Sequence, residues 1–231
     1  LDVQTGTLRL GGGGSSTGGS YDIAGGATVE FSGGTHTLTN IVVGGSGTGR
    51  LLASADTVDA NGTLAFNGTI AASGSGVFNF NGAASAGAFE QTGGTIGGTG
   101  SLSIAGASTW SNGGQSDAGS TSFNGPLTLS GGGVRDVITR TVDFAGTTTW
   151  SNPSNNAGSI RTGSGATLAN SGTFLDQNGF NNSISNVFGG AASTFDNSGT
   201  YTKSGAGTTN ITIGFNNSGS LDVQTGTLRL G

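Results

Sequence analysis

The sequence predicts an all-β chain folded as a right-handed parallel β-helix, or β-solenoid, with about 20 residues per coil and roughly ten or eleven coils. Three observations predict this fold: apolar residues alternate with other residues in short runs, glycine-rich corners separate the runs, and similar segments return at intervals near 20 residues. No shift in composition and no linker divides the chain, so residues 1–231 are predicted to form a single continuous solenoid segment.

Alternation identifies the strands. The runs in which every second residue is apolar include 8–10, 29–31, 64–66, 78–80, 102–104, 127–129 and 211–213. A period of two is expected when one face of a strand points inward. No stretch keeps a 3.6-residue apolar period for three turns, and the 49 glycines disfavour long helices.

The corners between runs carry Asn-Gly, Ser-Gly and Gly-Gly pairs. Asn61-Gly62, Asn81-Gly82 and Asn124-Gly125 are examples. Such pairs accept the positive φ that tight turns require. Short strands joined by tight corners at this period indicate coils in which each strand pairs with its counterpart one coil away, about 4.8 Å along the axis.

The first two coils can be aligned residue by residue. Leu1-Asp2-Val3 matches Tyr21-Asp22-Ile23 at an offset of 20, and Leu8 and Leu10 match Val29 and Phe31 at an offset of 21. This register places Arg9 beside Glu30 on the outer surface. It predicts an exposed ion pair that contributes less than about 1 kcal/mol.

Asn-Ser-Gly triplets give the register near the other end of the chain. They begin at Asn170, Asn197 and Asn217, at offsets of 27 and 20. The seven extra residues of the longer interval are expected in a polar loop near Asn178 to Ser185. The triplets are interpreted as inward asparagine ladders and corner turns, with carbohydrate contacts as the alternative.

One segment of eleven residues occurs twice. Residues 1–11 and 221–231 both read LDVQTGTLRLG, at an offset of 220. This identity predicts a tandem array, of which the sequence contains one 220-residue repeat plus an 11-residue overlap. Eleven coils give an axial period of about 53 Å. Because neither end shows a helix, a charged edge strand or a proline, we expect neighbouring repeats or copies of the chain to meet end to end, with both copies of the segment forming the same strand.

Composition disfavours several classes of protein. The net charge is −5 and the seven Lys and Arg residues are scattered, which argues against a nucleic-acid partner. No apolar run is long enough for a membrane span. Without cysteine there is no disulfide framework and no thiolate metal site. Only 8% of residues are charged and the apolar residues are patterned, which disfavours a disordered chain despite the glycine content.

Catalytic signals are sparse. His36 is the only histidine, and its place between two threonines is interpreted as an ordinary surface position. No Gly-x-Ser-x-Gly elbow accompanies it. The twelve acidic residues are dispersed, with Asp56 and Asp59 the closest couple, which disfavours paired-carboxylate glycoside hydrolysis. We therefore predict no enzyme, no catalytic residue, no cofactor and no metal site.

The two tryptophans share one sequence context. Trp110 and Trp150 lie 40 residues apart, so the coil period places them on one face, two coils or about 10 Å apart. Aromatic rings at this spacing could stack on sugar rings as a glycan site. The alternative interpretation is that each tryptophan is a large apolar filler of the core.

The stretch Phe215 to Gly231, FNNSGSLDVQTGTLRLG, resembles the FNNSGTLDVQ-type repeats of giant secreted bacterial repeat proteins, which are similar to β-helical adhesins of the autotransporter and haemagglutinin type. The segments 33–38, 109–111 and 195–200 extend the resemblance. It implies an extracellular or cell-surface location and a stalk, adhesive or filamentous role, and it supplies no catalytic residues.

These observations, together with the resemblance, predict a structural extracellular repeat protein that forms a β-solenoid fibre or stalk. Adhesion to glycans or cell surfaces is a further role that the resemblance implies. The alternative is a β-helical carbohydrate-binding or ice-binding surface protein. Regular outward Thr-x-Thr rows would favour ice, but the pairs at 5–7, 35–37 and 200–202 do not keep one 20-residue phase.

Overall fold

A computed structural model of the protein describes residues 1–44 and 49–231. These residues contain 29 β-strands and no helix, and the strands pair in parallel. The fold is the predicted parallel β-solenoid.

The strands are short and follow one another around the coils. In chain order they are β1 (Asp2–Val3), β2 (Thr7–Leu10), β3 (Gly14–Thr17), β4 (Ser20–Ile23), β5 (Thr28–Phe31), β6 (Thr35–Thr39), β7 (Val42–Gly44), β8 (Arg50–Ala53), β9 (Thr57–Asn61), β10 (Leu64–Ala72), β11 (Val77–Phe80), β12 (Ala83–Gly97), β13 (Ser101–Ile104), β14 (Ser108–Gln115), β15 (Ser120–Phe123), β16 (Leu127–Leu129), β17 (Arg135–Ile138), β18 (Thr141–Asp143), β19 (Thr147–Trp150), β20 (Ile160–Gly163), β21 (Thr167–Asn170), β22 (Thr173–Asp176), β23 (Asn182–Asn186), β24 (Thr194–Asn197), β25 (Thr200–Lys203), β26 (Thr208–Ile211), β27 (Gly214–Asn217), β28 (Ser220–Val223) and β29 (Thr227–Leu230).

Pairing between successive coils produces three ladders, each of which forms one face of the solenoid. The first face contains β1, β4, β7, β10, β12, β13, β15, β18, β21, β24 and β27; the second contains β2, β5, β8, β10, β12, β14, β16, β19, β22, β25 and β28; the third contains β3, β6, β9, β11, β12, β14, β17, β20, β23, β26 and β29. Strands β10, β12 and β14 continue around a corner and therefore belong to more than one face. Each face has eleven rungs, so the structure contains eleven coils.

Coil length varies along the stack. Asp2 pairs with Asp22 at an offset of 20 and Ala83 with Ser101 at 18, whereas Thr167 pairs with Thr194 at 27. The sequence placed the extra residues of this long coil near Asn178 to Ser185. Most of them lie instead at 187–193, because β23 occupies Asn182–Asn186. Polar composition alone therefore did not separate a strand from the loop that follows it.

The core is a column of side chains that stack from coil to coil. On the second face the side chains of one inward column are Leu10, Phe31, Ala53, Ala72, Gln91, Trp110, Leu129, Trp150, Asp176, Lys203 and Val223. The strands alternate buried and more exposed positions, as in β24 and β25. The interior is thus filled by one narrow layer per coil, consistent with alternation of period two.

A column of eight glycines explains part of the glycine content. These residues lie at the corner between the first and second faces in eight successive coils, and they are Gly68, Gly87, Gly106, Gly125, Gly146, Gly172, Gly199 and Gly219. None has a positive φ. A Cβ at any of them would lie within 2.5 Å of a backbone oxygen of the coil below. The corner requires glycine because adjacent backbones approach closely.

Replacement of Gly172 by alanine is therefore expected to destabilise the protein by about 1–3 kcal/mol, since a methyl group must displace the Gly146 carbonyl. Chemical denaturation measures the change. Gly132→Ala is the matched control, because its Cβ would meet only ordinary contacts at 3.8 Å. Equal stability of the two variants would contradict the close-approach explanation.

Candidate functional site

The outer surface carries few charges, and several of them form ion pairs between coils. Arg9 Nε lies 2.8 Å from Glu30 Oε2, and Arg9 pairs with Glu30 across β2 and β5. The predicted register and ion pair are both confirmed. Glu30 also accepts a hydrogen bond from Ser54, which, ahead of Arg9, lowers the pKa of Glu30. Arg161 donates two hydrogen bonds to Asp136 on the third face.

Threonines form columns at the beginnings of strands. On the first face Thr141, Thr167 and Thr194 follow one another, and on the second face Thr147, Thr173 and Thr200 do the same. Two residues further along the first face, Asp143, Ala169 and Asp196 stack instead. The column on the first face is therefore single. On the second face the row two residues further along is Thr149, Leu175 and Thr202, so a second threonine row is interrupted by leucine.

Both tryptophans lie inside the solenoid. Trp110 pairs with Leu129, and Leu129 pairs with Trp150, so the predicted separation of two coils on one face is confirmed. Both residues are 0% exposed. Trp110 donates through Nε1 to Gly113 O, and Trp150 donates to Gly158 O. Neither ring presents a face to a sugar, so the glycan-stacking interpretation is not retained and the core-filler interpretation fits.

The Asn-Ser-Gly triplets form an inward ladder, as one interpretation of the sequence had it. Asn170 Nδ2 donates to Asn197 Oδ1 at 2.6 Å, and Asn197 Nδ2 donates to Asn217 Oδ1 at 2.6 Å. Asn170 and Asn197 also donate to Thr200 O and Ser220 O. The amides therefore satisfy backbone groups at the corner, and the first two are buried.

His36 is not at the surface, and this corrects the sequence interpretation. It is 7% exposed and lies on the inward side of β6 with Leu38. Its Nε2 lies 3.2 Å from Asp56 Oδ2, and its ring lies 4.9 Å from that of Phe31. The two flanking threonines point outward, so alternation forces the histidine inward. The sequence interpretation had placed His36 on the outer face together with the threonines beside it.

Two buried arginines hold corner carbonyls. Arg135 is 0% exposed and donates to Trp110 O at 2.7 Å, to Gly158 O at 2.7 Å and to Ser130 O. These acceptors come from three successive coils. Burial lowers the pKa of Arg135 to about 10. Among residues 1–44 and 49–231 no carboxylate accepts a hydrogen bond from Arg135, and backbone carbonyls satisfy the guanidinium.

Arg140 has the same role at the corner between the third and first faces. It donates to Thr121 Oγ1 at 2.9 Å and to the carbonyls of Gly98, Ser116 and Ser120 at 3.0 Å. Burial lowers its pKa to about 10, opposed by the charge of Asp117. From the sequence these basic residues were interpreted as scattered charges, and the role of Arg135 and Arg140 in binding backbone carbonyls was not predicted.

A third polar cluster lies in the core of coils nine and ten. Asp176, Asn178, Tyr201 and Lys203 are each 0% exposed, and Asn182 is 1% exposed. Tyr201 Oη donates to Asp176 Oδ2 at 2.9 Å, and Asn178 Nδ2 donates to Asp176 Oδ1 at 2.8 Å. Lys203 Nζ lies 3.7 Å from Asp176 Oδ1. We call these five residues the Asp-Asn-Lys cluster.

Burial and the charge of Asp176 both shift pKa values within the Asp-Asn-Lys cluster. Burial, with the Asp176 carboxylate, raises the pKa of Tyr201 well above its ordinary value. Burial lowers the pKa of Lys203, while Asp176 acts in the other direction. A lysine amine, a carboxylate and two side-chain amides thus share one dry site.

Other chemistry is sparse in the part of the chain that the structure describes. Within residues 1–44 and 49–231, no three His, Cys, Asp or Glu residues lie together as a metal site would require. None of the described elements is a helix able to cross a membrane. Exposed apolar side chains on loops include Phe180, Val187 and Phe188, and Arg161 Cζ lies 5.2 Å from the Phe188 ring centroid.

The two copies of the repeated segment have the same local structure. Gly6 and Gly226 have φ values of 73° and 78°, and in each copy the glutamine donates to the aspartate two residues before it. Residues 7–10 and 227–230 are both strands. The expectation that both copies form the same strand of the coil is wrong, however, because the copies lie on different faces. Asp2 lies on the first face and Asp222 on the second, while Leu8 lies on the second and Leu228 on the third.

The outermost coils expose core side chains. In the last coil Leu221, Val223 and Leu230 are 38%, 49% and 46% exposed. At the opposite end a cleft of about 590 Å³ is lined by residues that include Leu10, Tyr21 and His36. Both ends therefore present apolar surface together with a row of strand backbone.

No family model matches the chain, and no curated protein or solved structure was found to be similar to it.

Proposed function

We propose that the chain is a unit of an extracellular β-solenoid fibre or stalk, in which successive units continue the same stack of coils. The observation that carries this proposal is the repeated segment: both copies have one local structure, and each already pairs with a neighbouring coil. Strand pairing that passes from unit to unit would cover the apolar ends and satisfy the edge strands.

The location outside the cell rests on the resemblance of Phe215 to Gly231 to repeats of secreted β-helical adhesins. In this proposal adhesion belongs to the polar outer faces, because the tryptophans that could have stacked on sugars are buried. The partners in this proposal are neighbouring units first, and glycans or cell surfaces second.

The placement of the two copies specifies how units would join. From Asp2 on the first face to Asp222 on the second, the chain completes ten coils and one further face. At about 4.8 Å per coil, this corresponds to an axial advance of about 50 Å. Each unit in a continuous stack would therefore begin one face, a third of a turn, after the unit before it.

The test is a chain that carries residues 12–231 a second time after Gly231. We expect electron microscopy to show a rod of unchanged width that is longer by about 50 Å than the single unit. Coils eight and nine are the longest, because Thr141 pairs with Thr167 at an offset of 26 and Thr167 with Thr194 at 27. Their extra residues provide a marker that should project from the two units on different faces. Two separate particles on a tether would contradict the proposal, and projection on one side would contradict the shift by one face.

A further inference from the structure

We propose that the Asp-Asn-Lys cluster is a self-modification site, in which Lys203 Nζ forms an amide with Cγ of Asn178 and ammonia is released. The bond would join coil nine to coil ten through their side chains. This inference is independent of how units join, because all the participating residues lie within one unit.

The reacting groups share one neighbour. Asp176 Oδ1 accepts a hydrogen bond from Asn178 Nδ2 at 2.8 Å and lies 3.7 Å from Lys203 Nζ. Lys203 Nζ also donates to the Asn178 backbone oxygen at 3.3 Å. Nζ also donates to Gly205 O, so the amine is fixed beside the main chain of Asn178. Asp176 Oδ1 is the neighbour that the two nitrogens share, as a hydrogen-bond acceptor for Asn178 Nδ2 and as an ion-pair partner for Lys203 Nζ. Because both groups belong to one chain and share this neighbour, the amide exchange would be intramolecular.

The surroundings activate both partners. Desolvation favours the neutral form of a buried lysine, which is the nucleophilic form. Asn182 Nδ2 donates to Asn178 Oδ1 at 3.3 Å, so a donor faces the oxygen on which negative charge develops. Ser159 Oγ donates to Asn182 Oδ1 at 2.7 Å and orients that amide. Water is excluded, because these groups are all buried.

The step balances without a further reactant. The neutral amine of Lys203 adds to Cγ of Asn178, and the Asp176 carboxylate takes the proton that the amine loses. Asp176 returns this proton to Nδ2, the bond from Cγ to Nδ2 breaks, and ammonia leaves. The product is a secondary amide, and Asp176 ends in its starting state.

Asn178 fits the role of electrophile better than Asp176 does. The Asp176 carboxylate accepts hydrogen bonds from the backbone and side chain of Asn178 and from Tyr201. Both carboxylate oxygens of Asp176 are therefore occupied as acceptors, and a carboxylate resists attack by an amine more than an amide does. The Asn178 amide instead directs its leaving nitrogen to a base and its oxygen to a donor.

Mass spectrometry of the unaltered protein tests the proposal. We expect the peptide containing Asn178 to be lighter by one ammonia and trypsin to leave the denatured chain uncut after Lys203, because an acylated lysine is not a trypsin site. Lys203→Arg should restore the missing mass and the cleavage. Asp176→Asn should slow bond formation while retaining both reacting residues.

Two results would overturn the proposal. One is the full sequence mass of the peptide with cleavage after Lys203. The other is loss of ammonia with cleavage after Lys203, which would identify a succinimide at the Asn178-Gly179 pair. Hydroxylamine opens a succinimide and leaves a secondary amide intact, so the two ammonia-loss products are distinguished on the wild-type protein alone, even if a variant fails to fold.

Discussion

Replacement of Phe174 by alanine is expected to lower the free energy of unfolding by about 3–5 kcal/mol. The ring is 0% exposed and lies at the centre of an aromatic cluster. Its centroid is 5.2 Å from that of Phe144, 5.6 Å from that of Phe195 and 5.2 Å from that of Tyr201. Removal leaves a cavity in a core only one layer thick per coil, which the stacked backbone cannot easily close.

Chemical denaturation followed by tryptophan fluorescence measures this change, since Trp150 lies 6.2 Å from Phe174. The matched control is Phe180→Ala, because Phe180 is 47% exposed on a corner loop. The control should differ from the wild type by no more than about 0.5 kcal/mol. A solenoid can unfold coil by coil, so hydrogen exchange should show whether the loss is local. Similar values for the two variants would contradict the core arrangement.

Replacement of Arg135 by methionine is expected to destabilise the protein by about 3 kcal/mol or more, although it removes a buried charge. The side-chain volume is broadly retained, but the carbonyls of Trp110 and Ser130 lose the donors that Arg135 supplies. Gly158 O keeps the indole of Trp150 as a donor. Orphaned carbonyls, not a lost ion pair, are thus the source of the effect.

Arg161→Met is the matched control for this change. Arg161 is also an arginine on the third face, but its side chain is 34% exposed and pairs with Asp136. Its replacement should lower the unfolding free energy by about 1 kcal/mol or less. If the Arg135 variant were as stable as this control, the guanidinium would not be holding the corner.

The sequence predicted the fold and part of the register because repeated strands reveal their own alignment. Arg9 and Glu30 could be paired from the 21-residue offset, and the structure confirms the pair. The coil period also placed Trp110 and Trp150 on one face. Whether the indoles face inward depends on strand phase. Trp110 and Trp150 both pair with the buried Leu129, so they share its inward orientation.

The buried polar residues were missed because charge was taken to mean exposure. For several of them the alternation of the strand already indicated burial. For example, Lys203 lies two residues after Tyr201 in the same strand, and Arg135 lies two residues before Val137. Alternation alone would have turned both inward. Arg140 lies at a corner between strands, where alternation gives no direction, so only the backbone path reveals its carbonyl partners.

The displacement of the repeated segment by one face sets the valency of a fibre built from such units. A given side chain would return to the same face only after three units, about 150 Å along the axis. A flat surface would therefore meet every third unit, whereas small partners in solution would reach all of them. Avidity for a surface would depend on receptors spaced to match that long interval. Lengthening the fibre by one or two units would add reach without adding a contact on that side.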